Sequence, residues 1–179
     1  MTDSIKMPGE ERREMILQTL RESEKPLTGK DLGDMANVSR QVIVGDVNLL
    51  KAVNEPIIAT SQGYLYVHPL KGPAKIAKTL VCKHTPEQTE EELNILVDHG
   101  LTVKDVKVEH PVYGDLSASI MVSNRREVKA FMHQVLEAKA VYLANLSEEG
   151  IHLHTVTADT YEQINEAENA LRKAGILIE

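Results

Sequence analysis

The apolar positions of this chain keep a helical spacing for its first fifty residues and a strand-like alternation in much of the remainder. Residues 10–23, "EERREMILQTLRES", place Met15, Ile16, Thr19 and Leu20 on one helical stripe, with Glu and Arg on the other face. The next stretch, "KPLTGKDLGDMANVSRQVIVGDVNLLKAVN", predicts two more helices. Thr28 is a good N-cap, with Asp31 at N3 reaching back to complete a capping box, and Leu32 and Met35 turn inward. Ala36-Asn37-Val38 is a tight turn in which Asn37 tolerates a left-handed backbone. Ser39 then caps a third helix whose Ile43, Val47 and Leu50 follow i, i+4, i+7. "PIIATSQGYLYVHP" reads as a hairpin, residues 57–60 and 64–67 about a turn at Ser61-Gln62-Gly63. A long helix, two short ones joined by a three-residue turn, and a hairpin make a winged helix-turn-helix.

The prolines and glycine of "VHPLKGPAKIAK" mark a junction, which divides the chain into residues 1–70 and 71–179. Beyond it "AKTLVCK", "LTVKDVKVEH", "DLSASIMVS" and "GIHLHTVT" alternate as strands, the middle two about the turn "HPVYGD", and "ILIE" is a short final strand. Between them "TPEQTEEELNILVDHG" is a helix with Thr85 at N-cap and Pro86 at N1. "NRREVKAFMHQVLEAK", with Asn124 at N-cap, and "ADTYEQINEAENALRKAG" are two more. The expected fold class is α+β: an N-terminal winged helix-turn-helix, then an α+β sheet domain with helices on one face.

Composition narrows the setting. Aromatics are 3%, with no Trp and one Phe, so the core must be built from Leu, Ile, Val, Ala and Met. No run of eighteen apolar residues predicts a membrane span, and the polar start "MTDSIKMPGEERRE" lacks the apolar region of a signal peptide. Cys82 is the single cysteine, so no intrachain disulfide can form. A cytoplasmic protein in a reducing compartment is expected. The net charge of −7 argues against indiscriminate coating of nucleic acid. It is unevenly spread: residues 1–78 carry 11 Lys+Arg against 10 Asp+Glu, and residues 79–179 carry 9 against 17. Two modules with different partners are implied.

In the first module, Arg40 and Gln41 lie just inside the third helix, where they could read guanine and adenine edges in a major groove. Thr28, Lys30 and Ser39 could hold phosphates, and Lys71, Lys75 and Lys78 could extend the positive surface. A helical module that touches another protein is the alternative. A near-neutral DNA-binding domain needs a second copy to bind tightly, so a dimer on a two-fold operator is expected.

The second module holds a different chemistry. His152 and His154 sit at strand period and share one face, with Cβ atoms roughly 7 Å apart, close enough to converge on one ion. The alternative is the solvated face of a half-buried strand. A metal needs ligands from other elements too. His84 ends a strand just before a helix N-cap, and on that helix Glu90 and Glu92 flank the Leu93, Leu96 and Val97 stripe. His84, one of the flanking glutamates, His152 and His154 would form an N3O set suited to zinc, nickel or ferrous iron. His110, before Pro111, could line a pocket; His99 reads as a helix cap; His133 and His68 read as surface or packing residues. Arg125 and Arg126 are cations in a first helical turn, where the helix dipole disfavours them. They could attract a carboxylate, pair across a dimer, or form ordinary surface ion pairs. There is no HExxH, nucleophile elbow or Gly-rich phosphate loop, so no enzyme is expected, although an open metal position is compatible with hydrolysis.

Two resemblances sharpen this. The segment "LTGKDLGDMANVSRQVIVGDVNLLKAVNEPIIATSQGYLY" resembles the winged helix of biotin-repressor-type regulators. The motifs "CKHTPEQTEEEL", "EHPVYGDL" and "HLHTV", in that order after a winged helix, resemble the three-histidine domain of bacterial niacin-responsive repressors of NAD biosynthesis. That likeness implies His84, Glu92, His152 and His154 as metal ligands, choosing Glu92 over Glu90. It also implies a bound nickel or zinc ion, nicotinic acid as corepressor, operator DNA as partner, and a homodimer. The pyridine ring would lie near Tyr113. A repressor for which the ion itself is the signal is the alternative.

Overall fold

Three helices open the chain in the computed structural model, which describes residues 6–68 and 75–178 (Glu148 by its backbone alone): α1 (Gly9–Glu22), α2 (Gly29–Ala36) and α3 (Arg40–Ala52). An antiparallel hairpin follows, β1 (Ile57–Thr60) and β2 (Gly63–Tyr66). The Thr28 hydroxyl accepts from the Asp31 N–H and the Asp31 carboxylate from the Thr28 N–H, so the capping box forms. Asn37 stops α2 in the left-handed conformation, φ 52°. Ile16, Leu20, Leu32, Ile43, Val47, Leu50 and Ile57 close one core.

Three expectations shift. Met35 is 56% exposed. The inward partner of Leu32 is Ala36, one turn on, because α2 turns its glycine and alanine toward the loop leading into α3; a Cβ on Gly33 would stand 2.7 Å from the Val38 carbonyl. Ser39 occupies the N-cap of α3, but its side chain makes no capping bond. The hairpin turn is Ser61-Gln62, with Gly63 already in the strand at φ +133°, where a Cβ would come 2.5 Å from the Leu27 carbonyl. The pattern of apolar residues also hid an ion pair. Asp46, on α3, is 4% exposed and accepts from Arg12 of α1 through two guanidinium nitrogens, Nη2 at 3.2 Å, while Arg12 Nη1 donates to the Met7 carbonyl at 2.7 Å.

The chain divides by its contacts into Met1–Gly72 and Pro73–Glu179. The second unit is an antiparallel sheet of order β3-β6-β4-β5, formed by β3 (Ile76–Lys83), β4 (Thr102–His110), β5 (Gly114–Val122) and β6 (Ile151–Ala158). Helices α4 (Thr89–Asp98), α5 (Arg125–Glu137) and α6 (Tyr161–Lys173) pack on it. Their buried Leu93, Leu96, Val97, Val128, Ile164, Ala167 and Leu171 join Leu80, Val103, Ile120, Val122 and Val156 of the strands in one core. A 3-10 turn, Pro86–Gln88, precedes α4, and Thr85 caps that turn. "ILIE" is not a full strand: it makes one bridge, Leu177 with Cys82, flanked by the Lys83 N–H to Ile176 and the Ile178 N–H to Val81. Lys75 and Lys78 pair with Asp159 and Glu168, so neither extends a free positive surface; Lys71 lies outside the described residues. Among the described residues no helix is long and apolar enough to cross a membrane.

Strand β4 carries a bulge between Val103 and Asp105. Its inward residues are Val103, then Val106, whose partner is His154, then Val108. The Asp105 carboxylate takes the N–H of Thr155 at 3.1 Å.

Removing the buried carboxylate would leave the Arg12 donors without their acceptor. Asp46→Ala is expected to destabilise the winged-helix unit by about 2–3 kcal/mol, read as a lowered urea midpoint by far-UV circular dichroism.

Candidate metal centre

The alternation of β6 aims one face at the helices: His152, His154, Val156 and Ala158 are buried, and Ile151, Leu153, Thr155 and Thr157 are not. The two imidazoles therefore lie in the protein interior, 1% and 3% exposed, and not on a solvated face. In register His152 lies opposite Cys82, and His154 lies between Leu80 and Val106. His84 arrives from the residue after β3, and Glu92 from the first turn of α4. Of the two glutamates flanking the apolar stripe, Glu90 is exposed and Glu92 is fully buried.

One oxygen of Glu92, Oε2, sits 2.7 Å from His84 Nε2, 3.1 Å from His154 Nε2 and 3.3 Å from His152 Nε2. The rings of His84 and His152 meet edge-on, as do those of His152 and His154. Ligand atoms of His84, Glu92 and His152 all fall within 4.8 Å of one another, and His154 joins through its contact with Glu92.

The opposite nitrogens explain the convergence. Nδ1 of His84 donates to the Thr85 carbonyl at 2.7 Å, Nδ1 of His152 to Gly150 at 2.9 Å, and Nδ1 of His154 to Asp105 at 2.8 Å. A carbonyl only accepts, so each Nδ1 carries its hydrogen and each neutral Nε2 presents a lone pair. Three lone pairs then face a carboxylate in a dry pocket. Four acceptors without a donor repel one another, so the cluster requires a cation or protons between them. This is the orientation that metal-bound histidines show, the far nitrogen fixed by a backbone acceptor.

Protonation of the metal-free cluster follows from the same geometry. Burial alone favours neutral His84 and His154, but hydrogen bonds and charge from Glu92 outweigh it and hold both above the ordinary imidazole value. Burial likewise favours a neutral Glu92, but His154, His152 and His84 together hold its carboxyl well below the usual range. Burial and the Glu92 charge push the Cys82 thiol up, so it stays a neutral packing group beside the cluster.

Backbone details seat these groups. Gly150 has φ +73°, and a Cβ there would stand 2.7 Å from the His84 carbonyl; its own carbonyl orients His152. The bulge in β4 turns the Asp105 carbonyl to His154. Neither the positive φ of Gly150 nor the three carbonyl acceptors is legible in the sequence. The bulge had a signal, since the inward valines 103, 106 and 108 break strict alternation.

The remaining candidates lie elsewhere. Nδ1 of His110 accepts from the Val112 and Tyr113 N–H groups, which ties down the β4–β5 turn, and Tyr113 is 74% exposed. Arg125 forms an ion pair with Asp98, at the end of α4 opposite Glu92, and Arg126 is exposed. His99 Nδ1 donates to the Ile95 carbonyl, as a helix cap would. His133 lies within 3.4 Å of Glu137 on the surface, and His68 packs on Tyr66. In the winged helix, Arg40 and Gln41 are exposed at the start of α3, and the Arg40 stem lies across Gly29. Lys30 is paired with Asp34, and the Thr28 hydroxyl is committed to its cap.

Two family profiles match the chain. A profile of the 3H domain matches residues 77–179, and one of an HTH domain matches residues 12–65. The chain is 52% identical over 179 residues to the transcription repressor NadR of Bacillus subtilis (strain 168), covering 99% of each chain. It is 38% identical over 175 residues to a protein of Thermotoga maritima described as "Probable transcription repressor NiaR", covering 98% of each.

The cluster geometry carries a pH dependence. The raised imidazoles contribute stability that is complete below their ordinary value, about 6.5, and lost as pH rises through the folded value. The depressed Glu92 contributes stability present above its ordinary value, about 4.3, and lost as pH falls through the folded one. In chelator, the second unit is expected to melt at a lower temperature at about pH 8 than at about pH 6; the opposite trend in calorimetry would contradict this cluster geometry.

Proposed function

The chain belongs to the NadR/NiaR family of transcription repressors, which join an HTH domain to a 3H domain, and on that premise we propose a specific regulatory role. It represses genes of NAD biosynthesis or niacin uptake, takes nicotinic acid as corepressor, and acts as a homodimer on operator DNA. It is a regulator, as its relatives' names say of them, and not an enzyme.

The observation that supports a resident divalent ion, nickel or zinc, is the set of three imidazoles whose Nδ1 atoms are all fixed on carbonyls, leaving three Nε2 lone pairs around one carboxylate. His84, Glu92, His152 and His154 would hold the ion, and it would supply Lewis-acid positions able to take a small carboxylate. The chain's own groups do the rest. Thr85, Gly150 and Asp105 keep the rings from turning away. Val106, partly buried beside His154, offers apolar surface for an aromatic ring. His110 shares the helix-facing side of the sheet with Val106 and Val108 by strand alternation. Its Nδ1 accepts, so its Nε2 carries a hydrogen that a carboxylate could take. Of the other effector candidates, Tyr113 stands in an exposed turn and Arg125 is engaged by Asp98, which leaves Arg126 the more available cation.

Corepression is then a coupling between effector site and DNA-binding surface, limited by the difference in nicotinic acid affinity between the two states of the dimer. With Ni(II) or Zn(II) present, nicotinic acid is expected to tighten operator binding at least tenfold in an electrophoretic mobility titration. No change would exclude it as corepressor. The second reading, a repressor switched by the ion alone, is favoured by four protein ligand groups that meet without any effector. Tightening by metal after chelator treatment, with no further effect of nicotinic acid, would select it. Elemental analysis of the purified chain is expected to find about one ion per protomer, lost in His152→Ala.

A further inference from the structure

Helix α3 carries a glycine that its own fold does not explain. Gly45 lies mid-helix and exposed, away from the buried Ile43, Val47 and Leu50. At 100° per residue Gln41, Gly45 and Asn48 fall within an arc of about 60° opposite the buried stripe, and along the helix axis Gly45 lies between the other two. A Cβ built on Gly45 meets nothing within 4 Å, and its backbone is ordinary helix. Gly33 and Gly63 differ in this respect, since a methyl group on either would collide with a backbone carbonyl. A helix-interior glycine shifts the folding equilibrium unfavourably by about fivefold relative to alanine. Within the free protein an alanine would fit and stabilise, so the absence of a side chain points to something outside it.

We propose that Gly45 is where the recognition helix lies closest to duplex DNA, its bare backbone seated against the groove where any side chain would hold the helix off. Gln41 and Asn48, one turn to either side and exposed, then reach base edges from a helix that sits deep. Glycine serves the same purpose wherever a backbone must approach a ligand closely. Duplex DNA is the occupant because the segment lies inside the matched HTH domain, residues 12–65, of a chain in a repressor family. The inference rests on that DNA-binding assignment and is independent of the identity of the effector or metal.

The test uses the full-length chain with Ni(II) and nicotinic acid present, and a duplex enriched from a randomised library by the wild-type protein. Gly45→Ala is expected to raise the melting temperature of the winged-helix unit by about 3–8 °C. It is also expected to weaken binding to the enriched duplex at least tenfold, while binding to a scrambled duplex changes less than threefold. The two effects have opposite signs, so loss of binding cannot be loss of fold. Gly45→Val is expected to weaken specific binding further. An alanine variant that binds the enriched duplex within twofold of wild type overturns the close approach and leaves DNA binding intact. A wild-type chain that enriches no duplex overturns the DNA-binding premise, and this proposal with it.

Discussion

Three N–H···O=C bonds organise the second half of this molecule. Each imidazole has two nitrogens, and pinning one on a backbone carbonyl decides both the tautomer and the direction of the other. Because Thr85, Gly150 and Asp105 each supply such a carbonyl, the three free lone pairs have no choice but to meet, and Glu92 stands where they do. Any one of these rings could satisfy itself elsewhere; together they form a pocket of acceptors that only a proton or a cation completes.

The carbonyls come from irregular backbone, which is why the sheet is not regular there. The Asp105 acceptor exists because β4 bulges, and the Gly150 acceptor because a left-handed residue lets the entry to β6 close against the end of β3. Helix α4 delivers Glu92 from its first turn, where a carboxylate also suits the helix dipole. The apolar core of Leu80, Leu93, Leu96 and Val156 holds these parts in register. In the winged helix the Arg12–Asp46 pair has a comparable role, fixing α1 to the helix that exposes Arg40 and Gln41.

Much of this is legible in the sequence, and the rest is hidden for definite reasons. The capped helices, the hairpin and the alternating strands are marked by local chemistry: Thr28 with Asp31, Asn124 with Glu127, and period-two valines. The pairing of His152 with His154 on one face follows from alternation, but which face looks inward does not, since Ile151 and Leu153 on the other side are equally apolar. Glu90 and Glu92 flank the same stripe, and helix geometry alone cannot choose between them; packing of α4 on the sheet buries only Glu92. Met35 misleads because a two-turn helix has no long stripe to read, and its small residues Gly33 and Ala36 set its approach. The Arg12–Asp46 pair joins residues 34 apart, beyond any local pattern, and carbonyl acceptors leave no trace in residue identity.

The depth of the histidine cluster has a kinetic corollary. Glu92, His152 and His154 are 0–3% exposed, and their ligand atoms sit beneath the first turn of α4. An ion held there could leave only after that turn unpinned from β3 and β6, a local unfolding event whose free energy is set by the surrounding Leu80 and Leu93 packing. Its dwell time would then track the breathing of the domain and not the concentration of free metal outside. Such an ion would exchange slowly, on the timescale of that local opening.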